Sequence, residues 1–303
     1  MPTSTKHQQQ QARPSPVLTV DGWNQFPWLV HGFSTRHGGV SSSPSNFTKM
    51  KSKDLNLGKV AWDSQRNIAE NRSRLLKHLE AESMDLVVPN QIHSDLIHVL
   101  GPEYSAARAW TGDGLATNHP DLLLSIQTAD CYPILLVDAR LRIVAAVHCG
   151  WRGTLRRLAK KAVGVMKFRY GSRDRDLWAA IGPGIGACCY QVGQEVRDEF
   201  QGQFYYAAKL FTTRWQTATA IQRKYPLLFK HVRNPFGPVH PEVFYLDLAK
   251  ANAMQLREAG LSVSKIHVAS QCTSCHPDLF FSHRRDLGKT GRMMAVIGIR
   301  SCN

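Results

Sequence analysis

Short apolar runs bounded by turn residues recur along this chain. Residues 122–126 (LLLSI), 132–137 (YPILLV) and 143–147 (IVAAV) follow one another closely. Runs of this length between turns suit strands buried on both faces. The connection over residues 138–142 is short enough for a β-hairpin. Such a hairpin sets Val137 near Val144 and Pro133 near His148. Cys131 and His148 then meet at its open end, roughly 5–8 Å apart. Further strands are expected over 28–34, over 86–100 with an interruption at Pro89, and over 177–181, 265–269 and 293–299.

The three-four rhythm of helices appears over residues 63–79, where Ile68, Leu75, Leu76 and Leu79 share a face and Asp63 or Ser64 can cap. It returns after Gly153, with Leu155, Leu158, Ala159, Ala162, Val163 and Met166 on one stripe and Thr154 as the cap. Residues 193–200 and 245–259 read as two more helices, the second carrying Asp247 and stopped by Gly260. Strands outnumber crossover helices and one hairpin is present, which predicts an α+β fold of mixed sheets flanked by helices. Residues 1–20 read as a disordered tail and 21–303 as a single domain. The aromatic, basic, proline-containing stretch 201–242 reads as an insertion or lid, and no internal repeat is evident.

Composition changes this picture little. Of 303 residues, 43% are hydrophobic and 20% charged, as in ordinary soluble globular chains. No apolar run reaches the roughly 18 residues of a membrane span, and no apolar signal core is present, so the cytoplasm is expected and a membrane partner is not. Charge matters more. Thirty-eight basic against 23 acidic residues give a net +15, which favours phosphate, nucleotides or other anions. Nucleic acid is not expected, because no base-reading motif accompanies the charge. Arg156, Arg157, Lys160 and Lys161 line one solvated helix face. Seven cysteines at irregular spacing are not a disulfide framework and fit a reducing compartment. Cys272 and Cys275 form a CxxC. A structural zinc site would need a second ligand pair, and adjacent Cys188 and Cys189 make a poor one, so no metal is expected there.

Several motifs carry candidate chemistry. Cys131 with His148 could share a metal or form a nucleophile–base pair; a buried thiol beside a satisfied core histidine is the plain alternative. The segment Gln91-Ile92-His93-Ser94 is polar and purposeful, whereas His98 sits between Ile97 and Val99 as a bystander. Thr35-Arg36-His37-Gly38-Gly39 can turn N–H groups and the Arg36 guanidinium around an anion. The turn Gly150-Trp151-Arg152-Gly153 feeds a helix N-terminus, another place for an anion. Gly182-Pro183-Gly184-Ile185-Gly186-Ala187 partly matches a dinucleotide fingerprint, but Pro183 removes an N–H and no acidic strand end follows, so Gly184 reads as part of a substrate-contacting loop or a tight turn. Gly288-Lys289-Thr290 fails as a P-loop, because His283 stands where glycine is required.

In order, HGFSTRHGGVS, NQIHS, GDGLAT, TADCYPILLVD, AAVHCGWRGT, AAIGPGIGACCYQVG and CTSCHPDLFFSHRRDLGKTGRM resemble the YfiH family, also called the laccase-domain, polyphenol oxidase or peptidoglycan-editing-factor family. The resemblance covers roughly residues 28–300. It departs at His283, where the family often has Tyr, and in the length of 201–242. It implies a layered α/β/β/α fold similar to the cytotoxic necrotizing factor catalytic domain. It implies zinc held by His93, Cys131 and His148, with a fourth position open as in catalytic sites. The implied activity is purine nucleoside phosphorylase with adenosine deaminase, on adenosine, inosine, guanosine or methylthioadenosine. Cys131, His93, His148 and Arg36 would be catalytic; Arg36 would hold phosphate, helped by His37 or Arg152, and Asp113 or Asp130 would carry a proton. The fold relationship also implies an alternative, a Cys131/His148 hydrolase or deamidase of the peptidoglycan-precursor-editing type. The older family names imply a copper polyphenol oxidase, but no two histidines here are separated by one residue, so copper is the less expected metal. A zinc-stabilised binding protein is the non-enzymatic reading. Base preference and oligomeric state are not legible.

Overall fold

The apolar hairpin forms as its turn dictates. In the computed structural model, which describes residues 14–44, 53–215 and 242–301, β8 (Tyr132–Asp138) pairs antiparallel with β9 (Ile143–Cys149), with Val137 opposite Val144 and Pro133 opposite His148. Every residue of both strands is buried. Alternation sorts their side chains onto two faces. Ile134, Leu136, Ala145 and Val147 enter one hydrophobic cluster and Leu135, Val137, Val144 and Ala146 another.

That division builds the layers. The hairpin is the centre of a six-stranded sheet in the order β14 (Ile266–Val268), β10 (Leu177–Ile181), β8, β9, β6 (Gly114–Thr117), β5 (Ile97–Leu100). A five-stranded sheet runs β1 (Val17–Leu18), β2 (Leu29–Ser34), β15 (Met293–Ile299), β7 (Leu122–Thr128), β4 (Asp85–Val87). Leu124, Ile126, Ala295 and Ile297 of this sheet meet Leu135, Val137 and Ala146 of the other in one core. The outer face of the five-stranded sheet, with Leu123 and Val296, is covered by Leu75 of helix α1 (Gln65–His78). The outer face of the six-stranded sheet is covered by Leu158, Ala162 and Met166 of α3 (Leu158–Tyr170) and by Ala251 and Leu256 of α5 (Leu248–Glu258). The order of layers is therefore α/β/β/α, and strands covered on both faces read as continuous apolar runs for that reason. A three-stranded ribbon adds β11 (Gln191–Val192), β13 (Glu242–Leu246) and β12 (Phe211–Trp215). The strand β3 (His37–Ser41) and the helices α2 (Trp151–Leu155) and α4 (Gln194–Gln203) complete the elements used below.

Some expectations change. Within the tail expected over residues 1–20, Val17 and Leu18 pair with Phe33 and Ser34, and Val20 is buried; residues 1–13 lie outside the described part. The apolar stretch 86–100 holds two strands in two sheets, β4 and β5, with the Pro89–His93 segment free to leave the ladder between them. The helix expected from residue 245 starts at Leu248 with Asp247 as its cap, because Tyr245 and Leu246 pair with Thr212 and Phe211. Thr154 is no cap: it is buried inside α2 and bonded to Asn252. Most of the stretch 201–242 lies outside the described residues.

Candidate metal centre and active site

Three segments deliver one cluster. Cys131 precedes β8 and His148 lies near the end of β9, and the register that pairs Pro133 with His148 puts Cys131 two positions further along the same face. His93 arrives from the loop between β4 and β5. A ring nitrogen of each histidine and the Cys131 sulfur lie within 4.8 Å of one another. The two imidazoles meet edge to face, with centroids 5.0 Å apart.

Asp113 fixes this geometry. It is fully buried just before β6. Its carboxylate accepts the N–H groups of Ile92 at 3.2 Å, His93 at 3.0 Å and Ser94 at 2.6 Å, and the Ser94 hydroxyl at 2.8 Å. The same carboxylate binds His148 Nδ1 at 2.9 Å, and the Asp113 carbonyl accepts the His148 N–H at 2.8 Å. Nδ1 is thereby committed, so Nε2 is left for the cluster. Burial alone would raise the Asp113 carboxyl; the bonds from His148 and Ser94 outweigh it and hold it far below the usual carboxylate range. Gln91 adds a second tie, exchanging hydrogen bonds with the backbone of Gln127 at 2.9 and 2.8 Å. His93 accordingly sits at φ 58° and Asp130 at φ 90°, a region costly for residues with a Cβ and sustained only where surrounding bonds dictate it. Asp130 is held by the Thr273 hydroxyl at 2.6 Å and the Arg284 N–H at 2.7 Å. Gly150 closes the floor: a Cβ there would stand 2.9 Å from the Cys131 sulfur.

The electrostatics favour a thiolate. Burial pushes the Cys131 thiol up, but the His148 charge and hydrogen bonds from both histidines overcome it and bring its pKa below the ordinary thiol value. His148 shifts the opposite way: burial lowers it, while Cys131 and Asp113 carry it above its usual value. Two imidazoles and a thiolate, open on one side and backed by a carboxylate, fit a three-ligand catalytic zinc site.

The open side faces a cavity of about 850 Å³, a size suited to a small-molecule ligand. Its lining includes His93, Cys131 and His148 together with Lys59, Arg72 and Arg292. Arg72 donates to the Leu57 carbonyl at 3.1 and 3.0 Å, and Arg292 to the carbonyls of Gly291 at 3.0 Å and Thr290 at 3.4 Å. Among the described residues, neither guanidinium has a carboxylate partner. Asn56 positions Arg292 by accepting its N–H at 2.9 Å. His283 also lines the cavity, beside Arg284.

The expected anion groups are elsewhere. Arg36 is buried, and its guanidinium makes a two-pronged ion pair with Asp54 at 2.7 and 2.8 Å, donates to the Pro277 carbonyl at 2.8 Å and lies 4.8 Å from the Phe281 ring centre. Three of its five N–H donors go to these partners, so in this structure Arg36 is an internal tie between the segments of Asp54 and Pro277. His37 is buried next to it; burial first, and the Arg36 charge second, lower its pKa. Arg152 is exposed and lies over the Trp151 ring. Gly184 is packed on the Tyr132 ring, which a Cβ would meet at 2.7 Å. None of these four lines the cavity. Asp113 and Asp130 have both oxygens engaged and act as positioning groups. Sequence reading missed Lys59, Arg72 and Arg292, because isolated basic residues on a basic chain carry no local signal.

Comparison with known proteins places the arrangement. Residues 30–300 match the family model described as multi-copper polyphenol oxidoreductase laccase. The purine nucleoside phosphorylase YlmD of Geobacillus stearothermophilus is 34% identical over 282 residues, 91% of this chain and 92% of that protein. A purine nucleoside phosphorylase of Deinococcus radiodurans is 38% identical over 272 residues, 89% of each. The crystal structure of the Bacillus licheniformis hypothetical protein YfiH matches with a TM-score of 0.78 at 32% identity, over 94% of this chain and 97% of that one. Because the match spans both sheets, the cluster and the cavity walls, this chain belongs to the laccase, or YfiH, family.

Proposed function

We propose that this protein is a metal-dependent purine nucleoside phosphorylase acting on adenosine, inosine, guanosine and methylthioadenosine, with adenosine deaminase activity in the same cavity. One observation carries the reading: a single cavity of about 850 Å³ is lined both by the two-imidazole, one-thiol cluster and by arginines that have no carboxylate partner among the described residues. In phosphorolysis a phosphate oxygen bonds to ribose C1′ as the bond from C1′ to the purine breaks. The electron pair leaves with the base, which takes up a proton, and ribose 1-phosphate remains. Charge is positive at the sugar in the transition state, so an anion fixed beside it helps. Arg72, Arg292 and Lys59 hold that phosphate. His93, Cys131 and His148 would hold a zinc ion, which supplies a Lewis acid at the cavity wall when bound. In deamination, water replaces the 6-amino group and ammonia leaves. The thiolate with two imidazoles suits zinc, and copper is the alternative that the family description raises. Cytoplasmic location is part of the reading: all six described cysteines are free thiols, and no described helix is long and apolar enough to cross a membrane.

The test is purified protein with adenosine and inosine, with and without phosphate. Phosphate-dependent release of free base, and inosine formed from adenosine, are expected. Neither product at any metal loading would sink the proposal. A second reading draws on the opposed shifts of Cys131 and His148, which are those of a thiolate–imidazolium pair in a cysteine hydrolase or deamidase. A chelator separates the two, since it abolishes phosphorolysis and spares a cysteine nucleophile.

A further inference from the structure

The CxxC of Cys272 and Cys275 lacks a second ligand pair in its own neighbourhood of the sequence. The fold supplies one from far away. Cys188 and Cys189, in the turn after the Gly182–Ala187 loop, stand against it: the Cys275 sulfur lies 3.5 Å from that of Cys188 and 3.3 Å from that of Cys189. All four sulfurs lie within 4.8 Å of one another. Four thiolates around zinc, with Zn–S near 2.3 Å, stand about 3.8 Å apart, so the observed cluster needs only small side-chain adjustments to close on an ion. Backbone donors are already aimed at it. Gly186 N–H bonds the Cys272 sulfur at 3.2 Å, and the N–H groups of Ser274 and Cys275 point at the same atom. Donors converging on one sulfur are what a negatively charged metal-bound thiolate needs.

We propose that Cys188, Cys189, Cys272 and Cys275 bind a structural zinc ion, separate from the histidine-containing cluster. Each thiol gives up its proton to solvent on binding, and the closed sulfur set leaves no open position. Its role follows from what the two turns carry. The Gly184 carbonyl accepts the Thr273 N–H at 3.0 Å, and the Thr273 hydroxyl holds Asp130, the neighbour of Cys131. Ile185 and Tyr190 from one turn, and His283 and Arg284 beyond the other, line the cavity. The ion therefore staples together the two segments that form this wall. The inference rests on the cluster alone and stands whether or not the cavity cleaves nucleosides.

The test is metal analysis of the full chain purified under reducing conditions. The wild type should hold about two zinc ions per chain, with about one left in C188S and in C275S, and about one left in C131A. A wild type holding about one, with no loss in either serine variant, overturns the proposal. A second measurement uses the wild type only and does not depend on variants folding. Cys188 and Cys275 are exposed, so as free thiols they are open to an alkylating reagent used at a pH high enough to form thiolate. Protection of both that disappears when a chelator is added is expected, mapped by peptide mass. Fast alkylation of both in zinc-loaded protein, or recovery of the pair as a disulfide under reducing conditions, contradicts the site.

Discussion

Asp113 shows how one buried carboxylate can organise a site it does not enter. It aligns the 92–94 backbone, commits His148 Nδ1 and leaves the other ring nitrogen free. Removing a carboxylate behind a metal-binding histidine typically costs about 10–100-fold in metal affinity. Asp113→Ala is expected to weaken zinc binding at the His93–Cys131–His148 cluster by that factor, read by competition with a chromogenic chelator; unchanged affinity would remove Asp113 from the account. His31 gives a prediction for pH. It is buried against Trp23, accepts the Val20 N–H at 3.1 Å, and burial lowers its pKa to about 4. Unfolded histidine titrates near pH 6.5. Between these values the unfolded chain binds a proton that the folded chain refuses, so the contribution is complete above about pH 6.5 and is lost as pH falls toward 4. The loss is on the order of 3 kcal/mol. Urea unfolding at pH 7 and pH 4.5 should show a smaller drop for His31→Gln than for the wild type; an equal drop contradicts the assignment.

At the scale of elements, legibility followed how local the decisive contacts are. The hairpin, β10 and β15 were readable because each is a continuous apolar run between turns, and the short 139–142 connection sets the register that brings Cys131 to His148. The N-cap of α1 was readable as well: Ser64 accepts the Asn67 N–H at 3.1 Å. Ser64→Ala should cost about 1 kcal/mol and lower Tm by roughly 2–4 °C, without loss of bound metal, in a thermal melt. A larger loss would mean that the helix start does more than cap. The start of α5 was misread because Tyr245 and Leu246 pair with strand residues more than thirty positions away, which no window can see. The split of 86–100 between two sheets was hidden for a related reason: β4 and β5 have similar composition, and the sheet each joins is decided by partners elsewhere. His93 entered through a motif, not through periodicity. Arg72 and Arg292 had no signal at all, since one lies on α1 and the other just before β15 and only the folded sheet unites them. The ion pair of Arg36 was not legible, because a glycine-flanked arginine looks the same in sequence whether or not Asp54 neutralises it.

Across the whole molecule, two stacked sheets hold a cluster and a basic wall at one cavity, on a chain of net charge +15. In the proposed reading the cavity cations bind the phosphate dianion. Each charge-assisted bond to it contributes about 1.5–3 kcal/mol, so Arg292→Ala should raise the KM for phosphate about tenfold to a hundredfold and change that for nucleoside far less; equal effects on both would move phosphate elsewhere. The central claim is that His93, Cys131 and His148 close on one ion facing that cavity. An anomalous difference map at the zinc edge, from a crystal of the zinc-loaded chain, tests it most directly. The account predicts a peak bonded to the Cys131 sulfur, His148 Nε2 and a ring nitrogen of His93. A map with no peak between these three groups, from protein that binds and cleaves nucleosides, would contradict it.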